Sequence, residues 1–186
     1  MNVELPLRMD RAAFLDWVQR QEERYELDRG CVIMMTGGSR EHWQITANLL
    51  QALTSRLDAD RFMVLPEFGV DLGPQSMRFP DVVVDVVGKT RGDLKATAPV
   101  MIVEVLSPSS ERVDLGDKAA EYLRLPSLTV YLVLAQDQMK AWLWSRGTTG
   151  FPAGPDVLEG HDATIQVATL GLDLPLSEIF ARVKLA

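Results

Sequence analysis

RFPDVVVDVV, residues 78–87, and MIVEVLSPSSERVDLGDK, residues 101–118, each begin in a β-branched run of strand character. Each run also carries carboxylates where a valine would pack more cheaply. Side chains alternate across a strand, so Asp81, Val83 and Asp85 share one face of the first run, and Ile102, Glu104 and Leu106 share one face of the second. Two neighbouring strands then set Asp81 beside Glu104. Like charges buried together oppose their own ionisation through desolvation and repulsion, so a positive third party is expected. A divalent cation fits, because hard ions such as Mg²⁺ take carboxylate and carbonyl oxygens and keep several waters for chemistry. Lys118, on the helix that follows and one turn before Tyr122, can swing its ammonium toward the same point.

Outward from this pair, DRAAFLDWVQRQE (10–22) reads as a short amphipathic helix behind an Asp10 cap, with Phe14, Leu15, Trp17 and Val18 at helical spacing. RYELDRGCVIMM offers two apolar runs around DRG, the signature of a tight hairpin. Ser39 is placed to cap the next helix, in which Ile45, Leu49, Ala52 and Leu53 form an apolar stripe and His42 lies one turn before Ile45. From residue 61 the period changes to strands, VDLGDKAAEYLRL returns to helical spacing, and LTVYLVLA and MKAWLWS are strands again. Gly147 to Pro155 mark a loop, and the tail LDLPLSEIFARV closes with a short helix. The fold expected is α/β (α+β): a curved mixed β-sheet flanked by helices.

Composition sets the limits. The 186 residues, 47% hydrophobic and 24% charged, suit one compact domain spanning 1–186. No apolar run approaches the ~20 residues of a membrane span, and the first ten residues do not read as a signal peptide. The lone Cys31 excludes an internal disulfide and a multi-cysteine zinc site, so a cytoplasmic protein is the simplest expectation. A net charge of −7 speaks against a surface that coats nucleic acid nonspecifically, although local basic clusters occur. Arg78, Lys89, Arg91 and Lys95 form one, and Arg112, Lys118 and Arg124 another; both read by default as solvated surface.

The motifs RYELDRG, His42, FPDVVV, VEVLSPSS and DLGDKAAEY, in that order, resemble the Uma family of restriction endonuclease-like proteins, within the PD-(D/E)XK nuclease superfamily. The resemblance runs from about Phe14 to Phe180 and implies a restriction-endonuclease-like core. It implies that Asp81 and Glu104 hold Mg²⁺ or Mn²⁺ together with the backbone carbonyl of Val105. Glu26, matching an N-terminal acid of related nucleases, would assist through water. Lys118 would orient and help deprotonate the attacking water and stabilise charge in the transition state. His42 also matches the family pattern, without an assigned role. Two departures stand out: Leu106 occupies the position where the superfamily pattern has lysine, which makes Lys118 the migrated lysine, and Cys31 stands where the glycine turn usually continues with an acid.

The activity expected is metal-dependent hydrolysis of DNA phosphodiesters, with a symmetric homodimer favoured for cutting both strands. The alternative is a catalytically silent nuclease-fold module that binds nucleic acid or protein. A glycosidase built on paired carboxylates is disfavoured by the lysine and by the lack of an aromatic-lined loop pattern. Each residue also has a plainer role to weigh. Asp81 could cap a strand start, Lys118 could pair with Asp114 or Glu121, and His42 could be a packed histidine. Tyr25 and Tyr122 could be core aromatics, Trp142 and Trp144 could pack on the sheet rather than stack on bases, and Cys31 could be a buried small hydrophobe.

Overall fold

The two valine-rich runs are neighbouring antiparallel strands of the largest sheet. In the computed structural model, which describes residues 7–88, 92–106 and 113–185, helix α1 (Arg11–Val18) is closed by Asp10, whose carboxylate accepts from the Ala13 amide at 2.9 Å. Strands β1 (Tyr25–Asp28) and β2 (Cys31–Met34) form the hairpin around DRG, with Arg29 and Gly30 at φ of +48° and +80°, as a two-residue primed turn requires. Ser39 caps α2 (Arg40–Arg56). Then come β3 (Phe62–Pro66), β4 (Val70–Asp71), β5 (Met77–Arg78), β6 (Val82–Val86) and β7 (Pro99–Val105). A π-helical turn (Val113–Lys118) runs directly into α3 (Ala119–Tyr122) and leads to β8 (Val130–Leu134) and β9 (Lys140–Ser145). The described chain ends with β10 (Asp156–Glu159), β11 (Thr164–Val167), β12 (Leu172–Pro175) and α4 (Leu176–Ile179).

Six strands form the main sheet in the order β10-β9-β8-β7-β6-β3. Its neighbours are antiparallel except β7 and β8, which run parallel and are joined across one face by the π turn and α3. A smaller sheet orders β2-β1-β5-β4, and β11 and β12 make a ribbon. The mixed sheet flanked by helices is the architecture expected. The strands after the loop were not, because DVLE of β10 is an exposed edge with only Leu158 half-buried and shows no alternation to announce it. Cys31 is half-buried on its hairpin rather than enclosed.

Two apolar layers grip the main sheet. On one face Val82, Val84, Met101, Val103 and Leu132 meet the α2 stripe of Ile45, Leu49, Ala52 and Leu53. On the other, Val83, Ile102, Tyr131 and Val133 meet Ala119 and Tyr122 of the crossover, and Leu106 joins them. Burying each such side chain is worth roughly 1.5–3 kcal/mol, so a lysine at position 106 would cost the fold a core residue. Trp144 packs in the same layer, 5.4 Å from Tyr131 between ring centres, and Trp142 lies against it, which makes the tryptophan pair sheet packing.

The alternation of β6 breaks at a bulge between Val84 and Asp85. Asp85 turns to accept from the Thr97 and Ala98 amides, both at 2.7 Å, and so caps the approach to β7. Asp85→Ala leaves two amides unpaired and is expected to destabilise the protein by about 1–3 kcal/mol in denaturant melts. A loss below about 0.5 kcal/mol would show the cap to be dispensable.

Arg78 corrects the solvated-cluster expectation. It is 2% exposed, and its guanidinium lies 3.2 Å from Glu26, 3.0 Å from Asp28 and 3.0 Å from Glu121. Burial pulls its pKa down, but Glu26 and Glu121 outweigh that and hold it above the ordinary arginine value. One side chain thus ties both strands β1 and β5 of the small sheet to α3. Lys95 is also engaged, with Asp71, while Arg124 is exposed. Lys89, Arg91 and Arg112 lie outside the described residues.

Candidate active site

Strand register delivers the two acids. Val82 pairs with Val103, so one step further along the antiparallel pair Asp81 stands opposite Glu104, as alternation along the two runs predicts. Asp81 sits just ahead of β6 and is fixed at both oxygens. Oδ2 accepts from the Val105 amide at 2.7 Å, and Oδ1 lies 3.0 Å from His42 Nε2. His42 comes from the first turn of α2, and Gly38 makes room for it: a Cβ at position 38 would sit 2.6 Å from the imidazole Cδ2. The histidine therefore orients Asp81, a role its place on the helical stripe gave no means of assigning.

Glu104 is nearly enclosed, and its Oε1 accepts both from Lys118 Nζ and from the Tyr122 hydroxyl at 3.0 Å. Lys118 and Tyr122 lie four residues apart, and the crossover presents both to the same oxygen. Lys118 Nζ is also 2.9 Å from Asp114 Oδ1, an oxygen that accepts no well-directed hydrogen bond among the described residues. Tyr131 steadies this segment by donating its hydroxyl to the Asp114 carbonyl at 2.8 Å. Asp114, on the cleft wall beside Lys118, is not among the candidate residues that the sequence alone marks. Its four-residue spacing from Lys118 was visible, but it pointed equally to a surface ion pair.

Glu26 stands apart from this contact set. It accepts from Arg78 and from the Phe79 amide, both at 3.2 Å, and lines the same cleft without touching Asp81 or Glu104. The cleft, about 270 Å³, is lined by Asp81, Glu104, Val105, Asp114, Lys118 and His42.

Negative charge is in surplus here. Burial pushes the Glu104 carboxyl up to about 8, with Asp114, Asp81 and Glu26 adding to the rise and Lys118 opposing it. Burial pulls the Lys118 ammonium down, but Glu104, Glu26 and Asp114 outweigh it and hold the amine protonated. Such an amine favours orientation and charge stabilisation over proton abstraction. Burial likewise raises the Tyr122 phenol well above its ordinary value, leaving it a neutral donor.

Among the described residues, no three His, Cys, Asp or Glu side chains converge into a ready-made metal site. The donor set nevertheless suits Mg²⁺ or Mn²⁺, which bind through one or two carboxylates and retain waters, and a dication would offset the surplus charge. Asp81 and Glu104 supply the oxygens, with the neighbouring Val105 on the cleft wall.

Comparison with known proteins bears on the family and the fold. The family model described as "Uma2: Putative restriction endonuclease" matches residues 11–177. The uncharacterized protein slr1290 of Synechocystis sp. is 31% identical over 140 residues, covering 74% of each chain. A second Synechocystis protein, sll1609, is 28% identical over 132 residues, covering 65% of this chain and 73% of the other. The crystal structure of a "putative nuclease belonging to DUF820" from Anabaena variabilis shares the fold, with a TM-score of 0.76 at 17% identity over 93% of this chain and 98% of that one.

Proposed function

The chain belongs to the Uma2 family, and on that premise we propose that it is a metal-dependent endonuclease that hydrolyses DNA phosphodiesters, with residues 1–186 forming one endonuclease-like domain. The observation that carries this reading is the lysine held between Glu104 and Asp114 across from Asp81, a cation delivered into an acid pair that lacks enough positive charge. Asp81 and Glu104, with the Val105 carbonyl and with Glu26 through water, would hold Mg²⁺ or Mn²⁺. Bound there, the ion supplies Lewis-acid charge stabilisation and lowers the pKa of a water. Lys118 directs its third N–H at the attacking water, and its charge stabilises the non-bridging phosphate oxygens, where negative charge grows. Tyr122 keeps Glu104 aimed into the cleft and His42 does the same for Asp81.

One site cuts one strand, so cleavage of both strands of a duplex would call for a symmetric homodimer. A cytoplasmic setting fits the single cysteine. Among the described residues, no helix is long and apolar enough to cross a membrane. The rival reading, a non-cutting module, draws on the same geometry: Lys118, Tyr122 and His42 already satisfy much of the acid pair. Incubating the protein with plasmid and single-stranded DNA, with Mn²⁺ or with EDTA, separates the two. Nicking that requires Mn²⁺ supports the enzyme, and intact DNA in every lane supports the module.

Thermal melts give an independent measure. Saturation at 100 times Kd adds about 2.7 kcal/mol, so Mn²⁺ is expected to raise Tm, and Asp81→Asn should abolish that rise. A Tm that does not respond to Mn²⁺ would count against the ion site. The raised Glu104 carboxyl adds a pH dependence. A proton held more tightly by the folded state stabilises it fully below the unfolded pKa, and this contribution is lost as the pH climbs through the folded value of about 8. In EDTA, Tm is therefore expected to decline from about pH 5 to about pH 8, and Glu104→Gln should flatten the decline. Parallel profiles for parent and variant would refute the assignment.

A further inference from the structure

The same cleft has a second character at its mouth. Trp43, the α2 residue next to His42, is 40% exposed, and Ile33 and Met34 of β2 are 44% and 56% exposed on the facing lip. The Trp43 ring stands edge-on to the His42 imidazole at 5.2 Å, which places its indole one residue away from the Asp81 partner. Arg24 lies over the indole, 5.8 Å from its centroid, and is ion-paired with Glu67. Glu67 is itself held at a positive φ of +47°, with its amide donating to the Asp81 carbonyl at 3.3 Å. A non-glycine residue kept in the left-handed region beside an acid pair marks a position where the surrounding structure over-determines the backbone.

Charge decides what such a mouth can accept. Five acidic side chains line the cleft, and its two cations, Arg24 and Lys118, are each already ion-paired. A duplex presents one phosphate per ~1.7 Å of axis with both strands counted, against one per ~3.4 Å for either strand alone along the same axis. Against an acidic wall the duplex meets roughly twice the repulsion without a basic track to offset it. The cleft, at about 270 Å³, falls just under the ~300–1,000 Å³ of ordinary small-ligand pockets, so it admits single residues of a strand rather than the body of a helix. Exposed indole and thioether surface compensates for missing phosphate contacts, because every base has a π-face and stacking tolerates any sequence.

We infer that the substrate enters as an unpaired strand, with one base stacked on the Trp43 face opposite Arg24 and covered by the Ile33–Met34 lip while the adjoining phosphate reaches Asp81, Glu104 and Lys118. This rests on the nuclease reading and narrows it to single-stranded or locally unpaired DNA. One site then suffices, without a partner subunit.

The test is fluorescence anisotropy of one labelled oligonucleotide, presented single-stranded or as a hairpin duplex, in Mn²⁺ with its integrity checked on a gel. The parent is expected to bind the single strand more tightly than the duplex. Trp43→Ala should weaken single-strand binding about 5- to 150-fold, the span of losing one base–aromatic stack, while Trp43→Phe retains most of it. The Mn²⁺-induced rise in Tm should be the same in Trp43→Ala as in the parent, which shows that the fold and the acid pair are intact. Equal single-strand affinity in Trp43→Ala and parent, or tighter binding of the duplex, overturns the inference. Duplex cleavage that ignores Trp43 overturns it too and leaves the nuclease reading standing. A parent that neither binds nor cuts either oligonucleotide sinks both.

Discussion

Arg78→Met is expected to cost about 3–5 kcal/mol, the scale of removing one partner from a buried ion pair. Methionine preserves most of the stem, so the loss is electrostatic rather than a cavity. Three carboxylates converge on this guanidinium, and two of them, Glu26 and Glu121, are the main forces holding it charged. Without it, Glu26 keeps only the Phe79 amide and sits uncompensated at the edge of an already acidic cleft. At 2–4 °C per kcal/mol for a chain of this size, Tm should fall by roughly 6–20 °C. Neutralising a partner should return part of it, so the double variant Glu26→Gln/Arg78→Met is expected to melt above Arg78→Met alone. A single variant within about 1 kcal/mol of the parent would show that the network contributes little to stability.

The second large effect falls on chemistry. Lys118→Met should leave the fold in place, since the methionine stem fills the same space beside Tyr122. Metal affinity should hold or rise, because the ammonium no longer competes for Glu104 and Asp114. DNA cleavage is expected to drop by two orders of magnitude or more, the scale of losing a positioned cation at developing negative charge. Single-turnover cleavage in Mn²⁺ measures the ratio. Parental rates in Lys118→Met would remove the lysine from the reaction and favour the non-cutting module. A rate loss accompanied by loss of the Mn²⁺ rise in Tm would instead mean that Lys118 organises the acids.

Much of the site lies within short range of its own sequence, and that portion was legible. Alternation along β6 and β7 placed Asp81 against Glu104, and helical spacing placed Lys118 above Tyr122. Local caps and turns at Asp10, Arg29–Gly30 and Ser39 were readable for the same reason. What escaped were pairings set by the tertiary arrangement. Nothing in the surroundings of Arg78 announces Glu26, 52 residues earlier, or Glu121, 43 residues later. A hydrophobic period, of helix or strand, reports which face a residue takes but not what waits there, so His42 on its helix had no visible partner and Asp85 on its strand no visible pair of amides. The π turn was illegible too, because VDLGDK reads as ordinary helix, yet it carries Asp114 and Lys118.

The small sheet rests on little. Apart from the Arg78 network and Val70, its buried apolar cluster is Phe14, Leu27 and Met77, and β4 and β5 are two residues each, whereas the main sheet is packed on both faces. Units with few buried contacts open at lower free energy than the core they lean on. The cleft is therefore expected to have a lifetime: in hydrogen exchange the wall bearing Glu26, Ile33 and Met34 should open sooner than the strands that hold Asp81 and Glu104.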